Sequence, residues 1–218
     1  MERSLDNYQI KILAALFMVI DHVGAIFFPN LEILRFIGRF SFPLFGWLLV
    51  QGEAHTRDVW LYLFRLVLLG VISQPLYLLN FQGVADYNIL FSLAIGLLCL
   101  RATRMQPIVA VFAWVVGVVL AQKLNVDYGG YGIAMIALIG QFKPTGLWWT
   151  SWLLLHVITL AISPNLGISQ APVLCAPIFF LIATQERGKR AKWFYLFYPG
   201  HLLILLLLQF LVGMRSSL

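Results

Sequence analysis

Charge is scarce in this chain. Asp, Glu, Lys and Arg make up 11% of the residues, against about a quarter in an ordinary soluble domain. No polar stretch is long enough to form a soluble module, so a single helical domain over residues 1–218 is expected. Cysteine is nearly absent. Cys99 and Cys175 each sit in an apolar run with no partner at metal-ligand or redox spacing, which argues against a disulfide framework or thiolate chemistry and leaves packing as their role. No Walker or Gly-rich dinucleotide fingerprint occurs, which excludes a nucleotide-hydrolysing motor, and no fixed-period repeat stands out. Tyr128-Gly129-Gly130 reads as a bend. No His or Cys spacing suits a metal, so none is expected even at Glu53 and His55, which read as a solvated turn in an inner loop.

What the chain does have is apolar surface. At 61% hydrophobic and 15% aromatic it reads as an all-α, polytopic membrane bundle. The net charge of +6 comes from basic residues in short loops, which signals topology rather than nucleic-acid binding. Runs and breakers predict about nine spans: residues 9 to 28, 33 to 51, 58 to 79, 87 to 100, 107 to 122, 130 to 141, 146 to 162, 171 to 184 and 193 to 213. The last is expected to be interrupted at Pro199-Gly200-His201. The first run is too long and too interrupted for a secretory signal, and reads as a retained helix.

With the N-terminus inside, nine loop cations fall on the cytoplasmic side: Arg3, Arg57, Arg101, Arg104, Lys143, Arg187, Lys189, Arg190 and Lys192. Only Arg35, Lys123 and Arg215 fall outside, so a cytoplasmic N-terminus is expected.

The ionisable groups inside the spans are the candidate site, because each costs a few kcal/mol in hydrocarbon unless a protein interior or wet cavity receives it. Lys11 and His22 are eleven residues apart, which on a helix puts them on one stripe separated by about 16 Å along the axis. Asp21 points about 100° away from His22, toward a different neighbour. Arg35 and Arg39 share a face. Arg35, nearer the helix end, is expected to snorkel to headgroups, and Arg39 to turn inward onto Asp21. His22 suits a general base near neutral pH, and His201, after its Pro-Gly pair, suits a proton shuttle or acceptor binder. Flexible cations at Lys11, Arg57 and Arg65 suit phosphates at a cytoplasmic mouth. His156, in a Trp- and Leu-rich run, reads as packing.

The strings KILAALFMVIDHVGAIF, RFIGRFSFPLFGWLLVQGEAHT, YLFRLVLLGVISQPLY and FYPGHLLIL resemble the TraX family, whose namesake acetylates the N-terminus of F-pilin. That family is similar to a compact branch of the transmembrane acyltransferases. Many of those carry a basic residue and a histidine with ten residues between them in the first helix, the pattern Lys11-x10-His22 here. The resemblance implies that His22 is the catalytic base, that Lys11 helps hold the acyl-CoA donor, and that Arg39 with Asp21 organises the site. It further implies a bacterial inner-membrane enzyme moving an acyl group, acetyl by the family's example, from acyl-CoA to a peptide N-terminus, glycan or lipid.

Two rival classes fit the same residues. One is a transporter or channel passing a small anion or proton along the stripe, which predicts inverted repeats. The other is a non-enzymatic assembly partner whose polar residues glue helices together.

Overall fold

A computed structural model describes residues 4–81 and 84–216, with side chains to residue 213. Arg3 and the Arg215 side chain, counted in the charge asymmetry above, lie outside it. All regular structure among the described residues is helical, with two isolated bridges, Leu5 to Ala183 and Tyr87 to Val126.

Helix α1 (Asn7–Phe27) starts where the Asp6 carboxylate accepts the Gln9 N–H at 2.8 Å and the Gln9 side chain accepts the Asp6 N–H at 2.9 Å. The run expected as one helix over 33 to 51 is two: α2 (Glu32–Gly38) and α3 (Ser41–His55), with the chain turning at Arg39 and Phe40. Pro43 falls in the first turn of α3, where its missing N–H has no intrahelical partner to lose. The Ser41 hydroxyl donates to the Ala14 carbonyl and Gly38 lies against Asp21, so α2 and α3 run antiparallel to α1.

The chain continues as α4 (Val59–Asn80), α5 (Ile89–Ala102), α6 (Pro107–Lys123), α7 (Gly129–Gly140) and α8 (Gly146–Ile162). Side-chain caps at Asp58, Asn88 and Thr145 begin α4, α5 and α8. The segment expected as a span over 171 to 184 is broken into a 3₁₀ turn (Ala171–Cys175) and α10 (Pro177–Ile182), and a further short helix, α9 (Pro164–Ser169), precedes it. Each piece carries a proline in its first turn, where the lost N–H is tolerated, and none extends beyond six residues.

The interruption expected at Pro199-Gly200 does not occur. Helix α11 (Phe194–Ser216) runs straight through it. Lys11 sits over the Phe194 ring and His22 meets His201, so α11 runs parallel to α1 and packs beside it.

Among the described residues, four segments are long and apolar enough to cross a membrane: Asn7–Phe27, Glu32–His55, Val59–Asn80 and Phe194–Gly213. The shorter α5 and α7 lie in the middle, where Leu97, Met135, Ile136 and Ile139 are almost fully buried in one cluster with Leu49 and Trp47 of α3. Gly46 and Gly96 let these helices close up, with Ile139 and Ile136 filling the space a methyl group would need. Helices α4, α6, α8 and α11 present large apolar residues outward, among them Trp60, Phe112, Leu153 and Phe210, as a lipid-facing surface would. Cys99 is buried as expected, its thiol donating to the Ala113 carbonyl, whereas Cys175 is exposed.

Candidate functional site

Asp21 and His22 divide the site between two faces of α1, as their angular offset requires. His22 turns to α11. Its Nδ1 is 3.0 Å from His201 Nε2, and the ring planes lie within 19°. With centroids 5.1 Å apart, the rings meet edge to edge through the hydrogen bond rather than face to face. His201 Nδ1 lies 3.0 Å from the Phe197 carbonyl, which can only accept, so that nitrogen carries the proton. Nε2 of His201 is then an acceptor in the neutral ring, His22 Nδ1 donates to it, and His22 Nε2 keeps its lone pair. Phe81 and Phe197 pack on the two rings at 4.6 and 4.8 Å. Thus His201 is a helix-borne partner of His22, held by the unbroken α11.

Asp21 turns to α2, and here the expected pairing is corrected. Arg35, not Arg39, makes the close contact. Its Nη1 donates to Asp21 Oδ2 at 2.7 Å and to the Asp21 carbonyl at 3.0 Å. Arg39 also turns inward, but its Nε is 3.9 Å from Asp21 Oδ1. The Arg39 N–H still donates to the Arg35 carbonyl at 3.0 Å, so the two arginines keep a common face, and the difference lies in how closely each reaches Asp21. Both Asp21 Oδ1 and Arg39 Nε are buried without a hydrogen-bond partner among the described residues.

Asp21, His22, Arg35 and Arg39 line one cavity of about 270 Å³, together with Ser41, Tyr77, Asp127, Tyr128 and Gln170, while His201 lies behind His22 outside that lining. Sequence reasoning singled out none of these five as site residues. Tyr128 caps α7 in the left-handed region at φ 64°, costing about 1–2 kcal/mol for a non-glycine residue, and stacks on Phe42 at 4.2 Å. It faces Arg39, as does Asp127. Burial pushes the Asp127 carboxyl up to about 6, and neighbouring Arg39 only partly offsets that. Gln170, 1% exposed, comes from the break between α9 and the 3₁₀ turn, with its Oε1 unpartnered among the described residues.

Lys11, Arg57 and Arg65 lie elsewhere. Lys11 is half-buried, 6.0 Å over the Phe194 ring, on the same face of α1 as His22 but outside the cavity lining. Arg57 is exposed in the turn between α3 and α4, and Arg65 is exposed on α4, 5.9 Å from the Tyr195 ring. Glu53 is not in a solvated turn. It is buried near the end of α3, 2.7 Å from Arg104 and 3.5 Å from Arg101. His55 Nδ1 donates to the Gln51 carbonyl at 2.8 Å, one turn back on its own helix. His156 packs as expected, buried against Trp152 with Nε2 3.1 Å from the Tyr131 hydroxyl.

The chain is similar in sequence to known proteins. A protein of Dichelobacter nodosus named "Probable fimbrial assembly protein FimC, serogroup H1" is 32% identical over 241 aligned positions, covering 94% of this chain and 97% of the relative. An uncharacterised protein of Rickettsia prowazekii (strain Madrid E) is 28% identical over 159 positions, covering 72% of this chain and 53% of that protein. No solved structure matches. The family model described as TraX protein matches residues 6–209, and the chain belongs to the TraX family.

Proposed function

We propose that this protein is an integral membrane acyltransferase that moves an acyl group from acyl-CoA to an amine or hydroxyl acceptor, with His22 as the general base. The observation that carries this reading is the ordered histidine pair. The Phe197 carbonyl fixes the His201 tautomer, His201 fixes that of His22, and the remaining lone pair on His22 Nε2 belongs to a residue lining the cavity.

In the reaction, the acceptor nitrogen or oxygen attacks the thioester carbonyl carbon while His22 Nε2 takes its proton. The tetrahedral oxyanion collapses, the C–S bond breaks, and His22 returns the proton to the leaving thiolate. The unpartnered Arg39 Nε is the donor we assign to the oxyanion, since a buried cation there needs no reorganisation as charge develops. Arg35 holds Asp21, and Asp21 in turn helps to place Arg39. Acetyl-CoA as donor and a bacterial inner-membrane location follow the family resemblance.

In this reading the chain crosses the bilayer nine times as one domain, with α2 and α3 forming one pass and α9 to α10 another, and the N-terminus in the cytoplasm. The name of the Dichelobacter relative favours a subunit of a surface fibre as acceptor. The test is acyl transfer in detergent from labelled acetyl-CoA to synthetic peptides with a free or a blocked N-terminus. Label on the free peptide alone supports an amine acceptor, label on both points to a hydroxyl, and label on neither while thioester is consumed moves the search to glycans and lipids.

A further inference from the structure

Outside the cavity, the most distinctive chemistry is the segment between α10 and α11. Arg187, Lys189, Arg190 and Lys192 are four exposed cations within six residues, and among the described residues none forms an ion pair. The other clustered cations are engaged: Arg101 and Arg104 by Glu53, Arg35 by Asp21.

The segment is held in shape at the start of α1. Ser4 N–H donates to the Ile182 carbonyl and Asn7 N–H to the Glu186 carbonyl, both at 2.8 Å, and the Asn7 side chain donates to the Gln185 carbonyl at 3.2 Å. Gln185 and Gly188 adopt left-handed backbone at φ 64° and 63°, and Gly188 lies so close to the Asp6 carboxylate that a Cβ would meet it at 2.5 Å. This anchoring sets the segment beside Lys11, which is close enough to feel the charge of Arg187. Two carboxylates, Asp6 and Glu186, share the region with these five cations, leaving an excess of three positive charges.

From Lys11 a line of rings leads to the histidine pair. Phe194 lies under Lys11, Phe197 is 6.4 Å further along, and His201 stacks on it at 4.8 Å and bonds His22. Lys11 and His22 are about 16 Å apart along α1. A ligand that uses both ends must carry phosphates at one end and a reactive group on a long, slender arm at the other.

We propose that the anchored segment 185–192, with Lys11, binds the phosphates of the acyl-CoA donor, and that the arm lies along the seam of α1 and α11 to bring the thioester to His22. This rests on the acyl-CoA reading above. It moves the phosphate site away from Arg57 and Arg65, which are exposed on other elements.

The same phosphate chemistry could come from anionic lipid headgroups, so the test separates the two sources. The full chain in phosphatidylcholine nanodiscs is titrated with CoA, comparing the native protein, Lys189→Ala/Arg190→Ala, and a charge-matched control, Lys123→Ala/Lys143→Ala, at exposed sites elsewhere. Loss of two charge-assisted contacts is expected to weaken CoA binding about tenfold or more in the first variant, with the control within about twofold of native. The unfolding midpoint checks that both variants remain folded. Equal CoA affinity in native and loop variant overturns the assignment. If equal affinity is accompanied by lower retention of phosphatidylglycerol in mixed-lipid discs, the segment is a headgroup site instead. If the native chain itself binds no CoA, the acyl-CoA reading fails along with this one, whereas binding by native chain that ignores the loop variant sinks only the loop.

Discussion

Gly38 and Asp21 are pressed together so closely that a Cβ at position 38 would fall 2.2 Å from the Asp21 Cβ and 2.5 Å from its Cα. Those are backbone-level overlaps that no rotamer change relieves. The contact brings α2 onto α1 and lets Arg35 reach Asp21. Gly38→Ala should therefore push the two helices apart and cost about 1–3 kcal/mol, the usual range for overpacking. The midpoint of denaturant unfolding in detergent reads this out, and an unchanged midpoint contradicts the packing described.

The two arginines should separate by kind of defect. Arg35 carries the 2.7 Å bond to Asp21, so Arg35→Ala leaves a buried carboxylate without its closest partner. With a third of the Arg35 side chain exposed, solvent discounts the loss to about 1–2 kcal/mol of stability. Arg39→Ala should cost less stability and more turnover, about 10²-fold in kcat if its Nε stabilises the oxyanion. Matching defects in the two variants, read as unfolding midpoint against kcat, contradict the division of roles.

His22 and His201 should act as one unit. Removing His201 leaves His22 Nδ1 without its acceptor and frees the wrong tautomer, lowering kcat about 10²-fold. His22→Ala should abolish base catalysis, and the double variant His22→Ala/His201→Ala should be no worse than His22→Ala within about twofold. Multiplying defects in the double variant indicate two independent groups.

Asp127, in the turn before α7, gives a pH signature. Its carboxyl is pushed up to about 6 by burial, with Arg39 and Arg35 opposing and Asp21 reinforcing the rise. Across about pH 4 to 6 the folded chain holds a proton that the unfolded chain has lost, so this group's contribution to stability falls as pH rises through that window. Asp127→Asn should remove that fall. The readout is the difference between native and variant unfolding midpoints across the window, and parallel curves contradict it.

The sequence revealed the stripe because helical periodicity is rigid over α1: a residue eleven places on returns to the same face, and Lys11 and His22 both meet α11. It misassigns Arg35 and Arg39 because both lie on one face toward Asp21, and which of them makes the close contact depends on how α2 meets α1 at Gly38, which no local period encodes. It read Pro199-Gly200 as a break, yet the helix closes over the lost N–H. It missed Asp127, Tyr128 and Gln170 because they come from turns and a broken segment. Such residues join Asp21 and His22 only through long-range packing that no local period encodes.

The central claim is tested most directly by giving purified native and His22→Ala protein radiolabelled acetyl-CoA and measuring binding and thiol release in the same samples. Binding by both, with turnover by the native chain alone, is the predicted result. Undiminished thiol release by folded His22→Ala contradicts the role of His22, and absence of binding to the folded native chain contradicts acyl-CoA chemistry altogether, leaving the polar stripe to an ion pathway or to helix packing.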